Sequence, residues 1–287
     1  MKRKNSIDPV EVKKKNILHH DVEADFFEII HPEGSSIYER LKVLRDINLI
    51  RESLEIRSLC VDIGCGTGFL TSFELPRYRF VVATDISRRM LEVVKKRFKT
   101  FEGLNLLLCD AENLPLKSEI ADMVSVSSVL HHLPNPFRSI LQMSRILRND
   151  GILYIIREPN DVRFRRFFNF LDDVMIRGLI EFMHCLPFLR KRKEKSDILK
   201  EILRKDGLSY KEVDVHCPNG FNIEELLHFL SLNHFKVISA HSYHWIFFDV
   251  LSNVNFVIEK IPLSDKFGRY TCFIVRKSAS DEKENTE

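Results

Sequence analysis

The chain has 287 residues, 44% of them hydrophobic and 30% charged, and 44 Lys and Arg against 41 Asp and Glu leave a formal charge of +3. This composition excludes a disordered or collagen-like chain and predicts one large globular domain, or a core with an added lobe. The longest stretch free of Asp, Glu, Lys and Arg, 123–137, is shorter than the ~18 residues of a membrane-spanning helix. The six cysteines form no C-x-x-C pair, and the first residues lack the apolar segment of a secretory signal. We therefore expect a cytoplasmic protein.

Between about residues 58 and 157, short β-branched runs alternate with helical patterns, which is typical of a parallel sheet with helices on both faces. The predicted strands are Ser58–Asp62, Arg79–Thr84, Leu104–Leu108, Ala121–Val126 and Gly151–Ile156. The predicted helices between them are Phe69–Leu75, Arg88–Thr100 and Phe137–Leu147. Further along, a helix capped by Asn222 over Asn222–Asn233 and a helical segment at 245–261 accompany two more strands, Phe235–His241 and Tyr270–Arg276.

A glycine-rich loop follows the first predicted strand, with glycines at 64, 66 and 68. Glycine at such a turn lets the backbone come close to a ligand. The third glycine of a dinucleotide fingerprint would fall at Phe69, and no Gly-Lys-Ser/Thr of a phosphate-binding loop follows. Asp85 ends the second predicted strand, and its carboxylate can accept hydrogen bonds from both hydroxyls of a ribose. The pattern predicts a nucleoside ligand without a pyrophosphate.

Five motifs in chain order resemble class I S-adenosylmethionine-dependent methyltransferases, in particular the small-molecule branch around ubiquinone and menaquinone biosynthesis. The motifs are Asp62-Ile-Gly-Cys-Gly-Thr-Gly68, Thr84-Asp-Ile-Ser87, Cys109-Asp-Ala-Glu-Asn-Leu-Pro115, Val129-Leu-His-His-Leu-Pro134 and Leu147-Arg-Asn-Asp-Gly-Ile-Leu153. The resemblance covers residues 55–160 well and the later chain poorly. It implies a Rossmann-like α/β fold with a seven-stranded methyltransferase sheet, helices on both faces and a helical lid inserted after the fifth strand.

The resemblance also implies S-adenosyl-L-methionine as the cofactor. The glycines would pass under its methionine part, Asp85 would hold the ribose, Ile86 and Met90 would flank the adenine, and Asp110 with the Ala111 backbone would meet the adenine amino group. The predicted cofactor-binding residues are Asp62, Gly64, Gly66, Gly68, Asp85, Ile86, Met90, Asp110, Ala111 and Ser127. The alternative interpretation makes the glycines an ordinary strand–helix turn and Asp110 a helix cap or a surface acid. Cys65 and Cys109 are predicted to be packing residues.

The candidate general bases are His131 and His132, directly after the fourth strand, because side chains there reach the ligand crevice of an open α/β sheet. Glu158, after the fifth strand, is a further acid–base candidate. Alternatively, each histidine packs against the cofactor or caps the next turn, and Glu158 pairs with an arginine such as Arg157. We predict no metal site. The adjacent His131 and His132 are unsuited to bind one metal ion together, because adjacent side chains seldom converge on one ion, and His19-His20-Asp21 is a still weaker candidate for a metal site.

The predicted organisation has five parts. They are an N-terminal helical segment covering the cofactor site (1–54), the cofactor-binding core (55–160), a basic aromatic insertion (161–219), a C-terminal completion of the core (220–278) and a frayed tail (279–287). In the first part, the resemblance implies that the segment around Phe26, Phe27, His31 and Tyr38 folds over the cofactor.

The insertion carries an apolar helical stripe over about 167–186, flanked by basic clusters at 163–166 and 190–193. Three interpretations are open. The stripe closes the core as a lid; it lines a pocket for an apolar substrate or meets an anionic membrane surface; or the region binds nucleic acid, against which the interspersed acidic residues argue.

The expected function is transfer of a methyl group, in line, to O, C or N of a small, apolar or lipid-like acceptor. An anionic membrane surface is a second expected partner, which would place the protein at the inner face of the membrane. One alternative is an RNA or protein methyltransferase, although Ser127-Ser-Val-Leu-His-His132 stands where an Asn-Pro-Pro-Tyr type of motif would be. The other is a non-catalytic cofactor-binding protein of the same fold. The sequence does not define the oligomeric state.

Overall fold

The computed structural model of the protein describes residues 8–31, 36–160, 220–243 and 270–279. They form one seven-stranded sheet with helices on both faces, which confirms the predicted Rossmann-like α/β class. The predicted insertion at 161–219 and the predicted helical segment at 245–261 lie outside the described residues. Within the described ranges, no helix is both long enough and apolar enough to cross a bilayer.

The strands follow the predicted ones closely. They are β1 (Leu59–Ile63), β2 (Phe80–Asp85), β3 (Leu104–Leu108), β4 (Ala121–Ser127), β5 (Leu147–Pro159), β6 (Phe235–Tyr243) and β7 (Tyr270–Lys277). Their order in the sheet is β3-β2-β1-β4-β5-β7-β6, with β1 to β5 parallel and β7 antiparallel to both neighbours. The chain order reverses between β1 and β4, so the loops after these strands diverge and leave a crevice at their carboxyl ends.

Seven α-helices and one 3₁₀ turn are described. They are α1 (Pro9–Glu23), α2 (Phe27–Ile30), α3 (Ile37–Ser53), α4 (Thr71–Glu74), α5 (Arg88–Arg97), the 3₁₀ turn Leu130–His132, α6 (Pro136–Ile146) and α7 (Ile223–Leu232). Polar side chains cap the amino ends of five of the helices, α1, α3, α5, α6 and α7. Asn222 accepts from the backbone N–H of Glu224 and Glu225, as predicted, and Ser87 from that of Met90. These bonds satisfy donors that a helix leaves free in its first turn.

The core lies on both faces of the sheet. On one face, α3 and α5 pack through residues such as Ile47, Ile50 and Val94. On the other, α6 and α7 pack through residues such as Ile140 and Leu226. The central strands β4 and β5 are almost wholly buried because they are covered from both sides, which explains their continuous apolar runs.

A buried polar network fixes α3 to the sheet. Lys42 Nζ lies 2.5 Å from Asp46 Oδ2, and the same carboxylate oxygen accepts from Tyr154 Oη at 2.9 Å and from Cys272 Sγ at 3.5 Å. Tyr38, one of the aromatic residues expected over the cofactor, is fully buried beside Tyr243 instead. The predicted segment 1–54 therefore divides: α3 belongs to the core, while α1 and α2 lie over the carboxyl ends of the strands.

Candidate active site

The glycine loop after β1 has three glycines in the left-handed region, and they face different surroundings. A Cβ on Gly64 would lie 2.4 Å from Val129 Cγ2, and one on Gly68 would lie 2.6 Å from Phe98 Cε2. A Cβ on Gly66 would be 3.9 Å from its nearest neighbour, Phe27 Cζ. Gly64 and Gly68 thus allow close packing within the protein, and Gly66 presents the open backbone over which a ligand could pass.

Asp85, at the end of β2, is tied to this loop. Its Oδ2 accepts from Gly66 N at 2.9 Å and its Oδ1 from Ser87 N at 2.8 Å. Burial raises the pKa of Asp85, although the charge of His20 and the backbone bonds act in the opposite direction. A carboxylate offers about four acceptor positions, so Asp85 keeps acceptor capacity for a ribose hydroxyl. Ile86 is half-buried at the same edge, whereas Met90 is buried on α5.

Asp62 supports the loop from its other end. Its Oδ2 accepts from the backbone N of Thr71 at 3.0 Å and from Thr71 Oγ1 at 2.6 Å. Burial raises the pKa of Asp62 to about 7. Because this carboxyl is buried and bonded to the start of α4, its contribution to a cofactor site is to hold the loop in shape.

Asp110 follows β3, and its carboxylate is shared between a backbone and a side-chain donor. Oδ1 accepts from Glu112 N at 2.9 Å, and Oδ2 lies 2.7 Å from Lys13 Nζ, which also pairs with Glu112. The bonds to both acids raise the pKa of Lys13 against the effect of its burial, which is the largest single influence. Ala111 and Ser127 are half-buried.

Among the predicted packing cysteines, burial raises the pKa of Cys109 to about 11, so its thiol stays protonated.

Glu158 is buried at the end of β5, where it holds the loop after β4. Its two oxygens accept from the backbone N–H of Val129, Leu130 and His131, and Oε2 lies 2.9 Å from His131 Nδ1. Burial alone would raise the pKa of Glu158, but these bonds lower it below its usual value. The neighbouring Arg157 guanidinium lies over the Phe69 ring, 5.3 Å from its centroid.

His131 and His132 lie side by side in the 3₁₀ turn, with ring centroids 4.0 Å apart. The His132 ring also meets the ring of His20 on α1, edge to face, at 5.3 Å. The His132 carbonyl accepts from Asn16 Nδ2 at 3.0 Å. The structure therefore brings the two predicted base candidates together with a helix that the sequence motifs do not include.

The sequence analysis predicted an N-terminal helical segment over the cofactor site, but it did not identify the side chains of α1 that contact the site. One face of α1 carries Lys13, Asn16, His20 and Glu23, spaced by three or four residues, and Asp21 beside this face accepts from Ser87 Oγ at 2.5 Å. Through these residues α1 reaches the loops after β2, β3 and β4. The available signal was a polar stripe at helical spacing. This stripe does not by itself indicate a site, because a polar stripe on a helix ordinarily faces solvent.

Glu23 is the centre of a group of histidines. Its Oε1 lies 2.6 Å from His20 Nδ1, and its Oε2 lies 3.4 Å from both His19 Nε2 and His31 Nε2. Although burial acts to raise it, these partners hold the pKa of Glu23 well below its usual range. The weaker predicted metal candidate, His19-His20-Asp21, is divided between Glu23 and Ser87. Among the described residues, no group of His, Cys, Asp and Glu could hold a metal ion.

The sheet order, the glycine loop and the acids ending β2 and following β3 define the Rossmann-like fold of class I S-adenosylmethionine-dependent methyltransferases. Residues 61–155 match the family model described as a methyltransferase domain. The resemblance predicted from the motifs is thereby confirmed.

The chain is also similar to proteins that are named as methyltransferases. Malonyl-[acyl-carrier protein] O-methyltransferase of Halalkalibacterium halodurans is 25% identical over 177 residues, covering 58% of this chain and 62% of the relative. Demethylmenaquinone methyltransferase of Staphylococcus haemolyticus is 29% identical over 119 residues, covering 40% of this chain and 50% of the relative. The chain thus spans less than two thirds of either relative.

Among solved structures, phosphoethanolamine N-methyltransferase 1 of Haemonchus contortus, in complex with phosphoethanolamine and S-adenosylhomocysteine, superposes with a TM-score of 0.57. It is 13% identical, and the match covers 100% of this chain and 53% of that one. At this identity the likeness shows the fold.

Proposed function

We propose that the protein is an S-adenosylmethionine-dependent methyltransferase that acts on a small-molecule acceptor by in-line transfer. The observation that carries this proposal is the pairing of Asp85 with Gly66 at the point where β1 and β4 diverge. There, a buried carboxylate keeps acceptor capacity beside Gly66, the loop glycine at which an added Cβ would make no close contact. The methyltransferase-domain match and the names of the relatives support the same conclusion.

The residues present fit this cofactor. Asp85 would accept from the ribose hydroxyls, and Asp110, held in place by Glu112 N, keeps acceptor capacity for the adenine amino group. When bound, S-adenosylmethionine supplies a methyl group already activated on a sulfonium, so the protein must mainly orient the acceptor and exclude water. Phe27 lies over the glycine loop and α1 bridges three loops, and both limit access of water to this edge of the sheet.

Calorimetry with S-adenosylhomocysteine tests the cofactor site. The unmutated protein should bind it, and Asp85→Ala should weaken binding by about 100-fold, because two hydrogen bonds to a charged group contribute roughly 3 kcal/mol together. Glu55→Ala, at an exposed position just before β1, is the control and should bind like the unmutated protein. Failure of the unmutated protein to bind would contradict the proposal.

Methyl transfer itself can be tested by incubating a cell extract with the protein and S-adenosylmethionine carrying a labelled methyl group. We expect one labelled small molecule by mass spectrometry. Label found only in protein or RNA would favour the macromolecular alternative. Binding of S-adenosylhomocysteine without any labelled product would favour a non-catalytic cofactor-binding protein.

A further inference from the structure

His20 on α1 points into the same edge of the sheet as the proposed cofactor site. Its ring lies against the ring of His132, which follows β4, and its charge interacts with the Asp85 carboxylate at the end of β2. His20 therefore stands between the residue proposed to hold the ribose and the loop after β4 that carries the predicted base candidates. The side chain is 18% exposed, compared with 10% for His131.

Glu23 determines which nitrogen of His20 carries the proton. Because the pKa of Glu23 is well below its usual range, its carboxylate is ionised and can only accept hydrogen bonds. The 2.6 Å contact with His20 Nδ1 therefore requires Nδ1 to be the donor, and it leaves the lone pair on Nε2. Within the described part of the chain, Nε2 of His20 hydrogen-bonds to no residue.

A histidine held by a carboxylate, with its second nitrogen available, is the arrangement of a general base. The pair His131 and Glu158 has the same contact, but Glu158 also bonds three backbone N–H groups and so serves the shape of the loop. The carboxylate of Glu23 contacts only imidazole rings among the described residues. Of the imidazoles that its carboxylate contacts, that of His31 is 30% exposed and that of His20 is 18% exposed. The His20 ring is the one of these two that lies on α1 and meets His132 in the turn after β4.

We propose that His20 accepts the proton of the methyl acceptor, with Glu23 as its positioning residue, and that the acceptor reacts through a hydroxyl oxygen. The inference rests on the proposed function. The hydroxyl oxygen forms a bond to the methyl carbon as the carbon–sulfur bond breaks, and that bond's electron pair remains on sulfur as the thioether. The hydroxyl proton moves to Nε2 of His20. The imidazolium that forms is neutralised by the Glu23 carboxylate. An acceptor that is already an anion or a neutral amine would not need this base.

The charged and titratable groups around His20 define an expected pH dependence. They are Glu23 and His19 on α1, His31 after α2, Asp85 on β2 and His132 after β4. Burial lowers the pKa of His20 most strongly, but Glu23 and Asp85 together raise it above 6.5, with His31 opposing them. The base is active when unprotonated, so activity should rise as the pH passes through the raised pKa of His20. Glu23→Gln removes the main raising influence and should move the acidic limb to lower pH.

The test compares His20→Asn, Glu23→Gln and His131→Asn, with His228→Asn, at an exposed position on α7, as the control. Histidine-ring NMR gives the pKa of His20 without any acceptor, and it should fall in Glu23→Gln. All four variants should bind S-adenosylhomocysteine within about threefold of the unmutated protein, since none removes Asp85 or Asp110. The kcat for forming the labelled product should fall on the order of 100-fold or more in His20→Asn, with loss of the acidic limb.

The outcomes separate this inference from the proposed function. Intact S-adenosylhomocysteine binding and product formation, with an unchanged pH profile in His20→Asn, would overturn the role of His20 and leave the methyltransferase proposal standing. The role of His20 would also be overturned if His131→Asn were the only variant to abolish the acidic limb of the pH profile. Methylation of the labelled product on a carboxylate or amine would overturn it as well. An unmutated protein that neither binds S-adenosylhomocysteine nor forms product would overturn both proposals.

Discussion

The two sides of the candidate active site use different kinds of hydrogen bond. On the sheet side, the carboxylates of Asp85 and Glu158 accept mainly from backbone N–H groups of the loops after β1, β2 and β4. On the α1 side, Glu23 pairs with three imidazoles and Lys13 pairs with two carboxylates. The sheet side is therefore held mainly by bonds between carboxylates and the backbone. The α1 side is held mainly by contacts between side chains, with the bond from Asn16 to the His132 carbonyl as an addition.

This difference indicates which side could change during evolution. A backbone N–H is present whatever the residue, so the sheet side persists as long as the fold does, which suits a constant ligand such as the proposed cofactor. One substitution is enough to remove a contact between two side chains. The α1 side can therefore change without loss of the fold, which suits recognition of the acceptor, the part of the proposed reaction that differs among methyltransferases.

The largest expected effect is that of Glu158→Ala. Removing this carboxylate leaves three backbone N–H groups near the 3₁₀ turn without their acceptor. We expect the free energy of unfolding to fall by about 3 kcal/mol or more, because each unsatisfied buried donor costs roughly 1–3 kcal/mol. Denaturant unfolding followed by circular dichroism measures this change.

Glu23→Ala provides the comparison, since Glu23 is equally buried but its partners are imidazoles that can turn or bind water. We expect it to cost about 1–2 kcal/mol, less than Glu158→Ala. An equal loss of unfolding free energy in Glu23→Ala and Glu158→Ala would mean that both carboxylates contribute equally to the stability of the fold.

An effect smaller than that of Glu158→Ala is expected from alanine substitutions in the glycine loop. Gly68 has φ +88°, and an added Cβ would lie 2.6 Å from Phe98, so Gly68→Ala should cost about 2 kcal/mol of unfolding free energy. Gly66 has φ +53° and no close neighbour, so Gly66→Ala should cost about 1 kcal/mol. Its main effect should be on S-adenosylhomocysteine affinity, measured by calorimetry, with a loss of at least about tenfold. A larger loss of affinity in Gly68→Ala than in Gly66→Ala would place the ligand over Gly68.

The smallest effect is expected from Lys13→Ala on the α1 side. The ion pair with Asp110 is partly exposed, so its loss should lower the unfolding free energy by only about 0.5–1 kcal/mol. Glu112 N still holds Asp110, so S-adenosylhomocysteine affinity should change by less than about threefold. Lys14→Ala, at the exposed neighbouring position, is the matched control. A tenfold loss of affinity in Lys13→Ala alone would make α1 part of the cofactor site.

Much of the fold was predictable because its signals are local. The predicted strand Leu104–Leu108 matches β3 residue for residue, and Asp85 was identified as the acid ending β2. Alternation of short apolar runs with helical patterns follows from burial on both sheet faces, and each run carries that signal by itself. The 13-residue length of β5 was underestimated. Its ends, including polar residues such as Asn149 and Asp150, do not have the apolar pattern of a strand.

The sequence by itself determined the parallel core, the glycine loop and the acids that end or follow its strands, since these depend on residues close together in the chain. Only the tertiary structure decided that Gly68 packs against Phe98, that Glu158 holds the loop after β4 and that α1 brings His20 beside His132. The last contact joins residues more than a hundred positions apart. Hydrogen bonds and ring contacts between distant residues depend on how the elements dock, and the local pattern of α1 records only that one of its faces is polar.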